Sequence, residues 1–150
     1  MRGADVVPLA TVLDASVAVR WLVTEKESAD AATLLARPTR WIAPRLMLTE
    51  VAGALHRKVA AGKLREMLAS EALEELLRTV GGGGIRLAED ERVLVAAFAL
   101  ATVLKHRVPD CMYLALAEQE SAGLATADHA LAGLAQQRGI ATTLIGGPAT

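Results

Sequence analysis

The sequence predicts an α/β fold in which a parallel sheet is covered by helices on both faces. Two observations carry this. Short apolar runs of strand length alternate with longer segments of helical period along the chain, and such alternation needs crossover connections that lay helices against the sheet. The 150 residues are 53% hydrophobic, which suits one domain with one core and is too apolar for a disordered chain. Only 3% is aromatic, so Ala, Leu and Val must build that core.

The elements follow in order. Val12 and Leu13 end a first strand that runs into Asp14. Helices are expected over 16–23 and 27–36. Trp41, Ile42 and Ala43 read as a second strand stopped by Pro44. In the segment 47–61, Met47, Val51, Ala54, Leu55 and Val59 recur at spacings of three and four, the stripe of an amphipathic helix, and Gly62 ends it. A helix over 65–80 turns Leu68, Leu73, Leu76 and Leu77 inward and its glutamates outward. Four glycines, Gly81 to Gly84, break the chain before a third strand over 85–87. The run 89–106 reads as a long buried helix. Pro109 takes a first-turn position that proline favours, and its helix runs to about residue 120. A fourth strand over 124–126, a helix over 128–138 closed by Gly139, and a last strand over 142–145 complete the chain.

Composition narrows the function. The formal net charge is -1, which is not the basic balance of a protein that coats nucleic acid by charge. Contact with nucleic acid would have to be local, with metal ions supplying positive charge. Cys111 is the sole cysteine, so no internal disulfide forms, as expected of a cytoplasmic protein. The apolar run 93–104 is shorter than the roughly 20 residues a bilayer needs. Residues 1–10 contain Asp5 and lack a sustained apolar segment, so they do not resemble a signal peptide. They read as an extension to a single domain spanning 11–150. The surplus of apolar residues predicts surface covered by another chain, and a homodimer is expected.

Four acids stand out. Asp14 follows the first strand and Asp128 the fourth, at the carboxyl edge where open α/β sheets bind ligands. Asp110 lies in the first turn of its helix, where the macrodipole favours a carboxylate. Glu50 lies early in the third helix, beside the apolar stripe. Each has a plain structural explanation. Asp14, Ser16 or Asp128 can cap helices, Asp110 can complement a dipole, and Glu50 can pair with Arg57. Jointly, acids converging on one edge repel unless a cation sits among them. A hard divalent ion with oxygen ligands is the natural occupant, and magnesium so held can act on a phosphoryl group.

Four segments carry a family resemblance. They are Val12-Leu13-Asp14-Ala15-Ser16-Val17, Leu48-Thr49-Glu50-Val51, the stretch from Val108-Pro109-Asp110 through Tyr113 to Ala117, and Leu124-Ala125-Thr126-Ala127-Asp128. In this order and spacing they resemble the signature segments of PIN-domain nucleases, in particular the VapC toxins of bacterial toxin–antitoxin pairs, over roughly residues 11 to 145. The resemblance implies a five-stranded parallel sheet in order 3-2-1-4-5 within a three-layer α/β/α sandwich. It also implies endonucleolytic cleavage of RNA with magnesium or manganese. Asp14, Glu50, Asp110 and Asp128 match the metal-site acids, and Ser16 and Thr126 the hydroxyl positions beside them. A VapB-like antitoxin is the implied partner. Hydrolysis at such a site leaves 5′-phosphate and 3′-hydroxyl ends.

Other residues weigh less. Arg20, four residues after Ser16, shares its helix face and is a secondary candidate for phosphate contact. His56, His106 and His129 show no metal-ligand spacing, so zinc is not expected. Cys111 reads as a small core residue, and the glycine run lacks the lysine of a phosphate loop. Tyr113 and Phe98 form no base-stacking platform. Aspartyl-phosphate chemistry is disfavoured because the last lysine, Lys105, precedes the fourth strand, and Ser16 stands where a phosphatase needs a second acid. The remaining alternative is a non-catalytic RNA-binding or regulatory module on the same fold.

Overall fold

The computed structural model describes residues 7–24 and 27–146. Residues 1–6, most of the predicted extension, lie outside the described residues. Five parallel strands form one sheet in the order β3-β2-β1-β4-β5, as the resemblance implies. They are β1 (Ala10–Leu13), β2 (Arg40–Pro44), β3 (Arg86–Ala88), β4 (Gly123–Thr126) and β5 (Thr142–Leu144). The helices are α1 (Ala15–Leu22), α2 (Ser28–Leu35), α3 (Leu46–Ala60), α4 (Glu66–Gly81), α5 (Glu91–Leu104), α6 (Val108–Gln119) and α7 (His129–Gln137).

β1 sits mid-sheet because it is apolar but for Thr11, and all four of its residues are buried. Its neighbours β2 and β4 leave it in opposite directions, which makes its carboxyl end the point where strand order reverses. The β1–β4 register pairs Thr11 with Gly123, Val12 with Leu124 and Leu13 with Ala125. One further step sets Asp14 opposite Thr126. At the other end of β4, a Cβ on Gly123 would stand 2.9 Å from the Ala141 carbonyl and 2.9 Å from Pro8, so only glycine lets these segments close up. The sheet also draws in the chain before residue 11, since Leu9 and Pro8 carbonyls accept from the Arg40 N–H and the Thr39 hydroxyl.

Two expectations about packing are corrected. The helix expected to be buried, α5, is the outer one. It buries Val93 and Ala97 but leaves Val95 82%, Phe98 65% and Val103 75% exposed. The inner helix is α6, which lies against β1, β2 and β4 with α5 outside it. Every residue from Cys111 to Ala117 is buried. Small side chains at Cys111, Ala115 and Ala117 let its backbone approach the sheet. Burying Leu114 and Leu116 stabilises the fold by roughly 1.5–3 kcal/mol each. In α4, the inward stripe is Ala69, Ala72 and Leu76, whereas Leu68 and Leu77 are exposed. α4 packs mainly on α3 and α1, so one narrow stripe suffices. No helix of the described residues is long and apolar enough to cross a membrane.

Candidate functional site

Asp14 stands at the end of β1, anchored by its N–H to the Ala125 carbonyl at 3.0 Å. It occupies the N-cap position of α1, yet its side chain makes no capping bond. Instead Oδ2 accepts hydrogen bonds from Ser16 Oγ (2.6 Å) and Thr126 Oγ1 (2.7 Å). Those hydroxyls are themselves fixed. Ser16 Oγ accepts from the Ala127 N–H, and Thr126 Oγ1 from the Asp128 N–H. The turns after β1 and β4 are thus stitched together around one carboxylate oxygen. The side chain is almost wholly buried, at 6% exposure. Burial, reinforced by the nearby charges of Glu50 and Asp110 and opposed by the two hydroxyls, raises its pKa from 3.8 to about 6.

The other acids are held differently. Glu50, on α3, accepts from the Tyr113 hydroxyl at 2.5 Å through Oε1. The alternative pairing with Arg57 is not formed. Asp110, in the first turn of α6, has Oδ2 2.9 Å from His106 Nε2 and 3.8 Å from Arg107 Nε. Asp128 caps α7, its Oδ1 accepting from the N–H groups of Ala130 (2.9 Å) and Leu131 (3.2 Å). The plain explanation by helix capping therefore fails for Asp14 and holds for Asp128.

All four acids line one cavity of about 350 Å³, together with Ser16, Arg20, Arg57 and Lys58. Arg20 is held there by Glu27 (2.7 Å) and the Ser16 carbonyl (2.8 Å). Thr126 does not line the cavity itself and meets it through Asp14 and the Asp128 backbone. A larger groove of about 790 Å³, bordered by Leu22, Leu64, Leu68 and Arg78, touches none of the four acids. The cavity lining offers carboxylates, a hydroxyl and cationic side chains, but no thiol or imidazole. Among the described residues no three His, Cys, Asp or Glu side chains close into a preformed metal cage. This donor set fits magnesium, which binds through one or two carboxylates, keeps several waters and does without an all-protein cage. It does not fit zinc, whose ligands are sulfur and imidazole in most sites.

Two neighbours of the acids have no role at the site that the sequence alone suggests. Tyr113 is fully buried in α6 and tied to Glu50. Nothing in the sequence links positions 63 apart. Burial, with the charges of Asp14 and Glu50, pushes its hydroxyl well above its ordinary pKa, so it stays protonated and donates. His106 contacts Asp110 across the helix start. Its i,i+4 spacing was the available signal. Cys111 is buried, and burial followed by Asp110 raises its thiol pKa, as suits a core residue.

Comparison with known proteins adds sequence and fold relatives. The family model described as PIN domain matches residues 11–137. Ribonuclease VapC3 of Pyrobaculum aerophilum is 37% identical over 123 residues, 81% of this chain and 91% of that protein. A crystal structure from Pyrobaculum aerophilum aligns with a TM-score of 0.65 at 21% identity, covering 87% of each chain. A toxin–antitoxin complex from Klebsiella pneumoniae aligns with a TM-score of 0.53 at 17% identity, covering 79% of this chain and 86% of that one.

Proposed function

The chain belongs to the PIN-domain family, and from that premise we propose that it is a magnesium- or manganese-dependent endoribonuclease whose site acids are Asp14, Glu50, Asp110 and Asp128. One observation carries the reading. Four carboxylates line a single cavity, and in three of them one oxygen is engaged by a donor of the chain's own rather than by helix capping. Burying Asp14 among like charges opposes its ionised form, a cost that a bound cation offsets. The similarity to a protein named as a ribonuclease, over most of both chains, supports RNA as substrate.

Each residue has a task. Ser16 and Thr126 fix the Oδ2 side of Asp14 and leave Oδ1 for a cation. Glu50 and Asp110 complete the principal cation site, and Asp128, at the exposed rim, contributes its second oxygen after capping α7. Arg20 is braced by Glu27 to meet a substrate phosphate. A divalent ion bound here supplies positive charge to a phosphodiester under attack by water.

The same similarity supports assignment as the toxin of a VapBC-type pair acting in the cytoplasm. A VapB-like antitoxin is then the partner, and the fold occurs in the Klebsiella pneumoniae toxin–antitoxin complex. The exposed apolar face of α5 supports a homodimer. The functional domain is taken as residues 11–150, with 1–10 as an extension. The experiment is cleavage of a defined RNA followed by end-group analysis. Metal-dependent cuts with 5′-phosphate and 3′-hydroxyl ends are expected. Chelator-resistant cuts ending in 2′,3′-cyclic phosphate would remove hydrolysis at this site.

A further inference from the structure

The chain has one tyrosine, and it lies inside a helix whose neighbours are all apolar. Tyr113 is fully buried. A buried hydroxyl needs a partner, and this one does not take a carbonyl of its own helix. It crosses to α3 and donates to Glu50 Oε1 at 2.5 Å. The same hydroxyl lies close to the backbone of Ala15, the residue after Asp14. Asp110 lies three residues before Tyr113 on α6, one turn away on a neighbouring face of the helix. A single phenol therefore touches or adjoins three elements that each carry one acid: the β1–α1 turn, α3 and α6.

Glutamate has three rotatable bonds, and Glu50 is only half-buried. Without a tether its carboxylate would sample solvent as well as the cavity. A short hydrogen bond on Oε1 removes that freedom and leaves Oε2 as the oxygen not engaged by the phenol. We propose that Tyr113 is the positioning residue for Glu50, presenting its carboxylate to a divalent cation in the Asp14–Asp110 cavity. This rests on the reading of that cavity as a metal site. The competing role is plain core filling, for which the ring suffices and the hydroxyl is incidental. Tyr113→Phe separates them, since it keeps the ring and removes only the donor.

The experiment is Mn2+ binding to the purified chain, followed by isothermal titration and by the spin-resonance signal of free Mn2+. Wild type, Tyr113→Phe, Glu50→Gln and the double variant are compared, each with a thermal melt in chelator. Removing an outer hydrogen-bond partner of a metal ligand weakens binding by about 10–100-fold, and Tyr113→Phe is expected to fall in that range. In cleavage, its Mn2+ midpoint should rise by a similar factor, while the rate at saturating Mn2+ stays within about threefold of wild type. In the Glu50→Gln background the same change should be silent, because the phenol acts through that carboxylate. Glu50→Asp, one methylene shorter, draws the carboxylate back from the phenol, so adding Tyr113→Phe to it is expected to have no further effect on Mn2+. Wild-type Mn2+ affinity in a folded Tyr113→Phe would overturn the inference while leaving the metal site standing. A wild-type chain that binds no Mn2+ would overturn the metal-site reading, and the inference with it.

Discussion

Replacing Asp14 by Asn should make the metal-free protein more stable. In the folded chain the Asp14 pKa is raised from 3.8 to about 6, chiefly by burial. Folding therefore takes up a proton between those two values, and stability falls as pH rises through them. Above about pH 6 the whole penalty is present, on the order of 3 kcal/mol for a shift of about two units. Asn keeps the shape, and its carbonyl can still accept from Ser16 and Thr126. Its amide would face Glu50 and Asp110 without adding a third charge. For a chain of this size 3 kcal/mol corresponds to a melting temperature roughly 6–12 °C higher. The assay is thermal melting of both proteins in chelator at about pH 7.5 and about pH 5. The gap should be largest at the higher pH and shrink by roughly half at the lower one. Added Mn2+ should then raise the wild-type melting temperature with concentration and move the variant far less. A variant that melts at or below wild type at pH 7.5, or a gap that ignores pH, would refute the reasoning.

Asp128 gives a contrasting pair. Asp128→Ala removes the α7 cap and should cost about 1 kcal/mol, whereas Asp128→Asn keeps the cap and should lower cleavage without lowering the melting temperature; melts beside an RNA assay check both. The purified chain should sediment above its monomer mass of 15.7 kDa, and Phe98→Glu on the exposed face of α5 should shift it to the monomer; a wild-type monomer at micromolar concentration would refute the dimer.

The sheet was legible because β1, β2 and β4 are short apolar runs and each following helix shows its own period. Their order came with the family resemblance rather than from periodicity. Three of the acids were legible from position: Asp14 and Asp128 directly follow strands, and Asp110 follows a proline that marks a helix start. What stayed hidden is relational. Two apolar helices are adjacent in sequence, and hydrophobicity favours 93–104 as the inner one. The sheet instead takes 108–119, whose Cys111, Ala115 and Ala117 permit close approach. In α4, Leu76 is inward and Leu73 packs against the core as expected, but Leu68 and Leu77 are exposed, and Ala69 and Ala72 complete the contact. The bond between Tyr113 and Glu50 spans 63 positions, and no local pattern encodes it. The cap formed by Asp128 and the absence of one at Asp14 depend on rotamers, although both residues stand before a helix.

The most direct measurement is cleavage of one defined RNA by wild type, Asp14→Asn, Glu50→Gln and Asp110→Asn across a Mn2+ titration, each protein first shown to be folded. Metal-dependent cleavage by wild type and a loss of at least about a hundredfold in all three variants is the predicted result. Full cleavage by the folded variants, or wild-type cleavage that persists in chelator, would contradict the claim that these acids form a metal-dependent nuclease site.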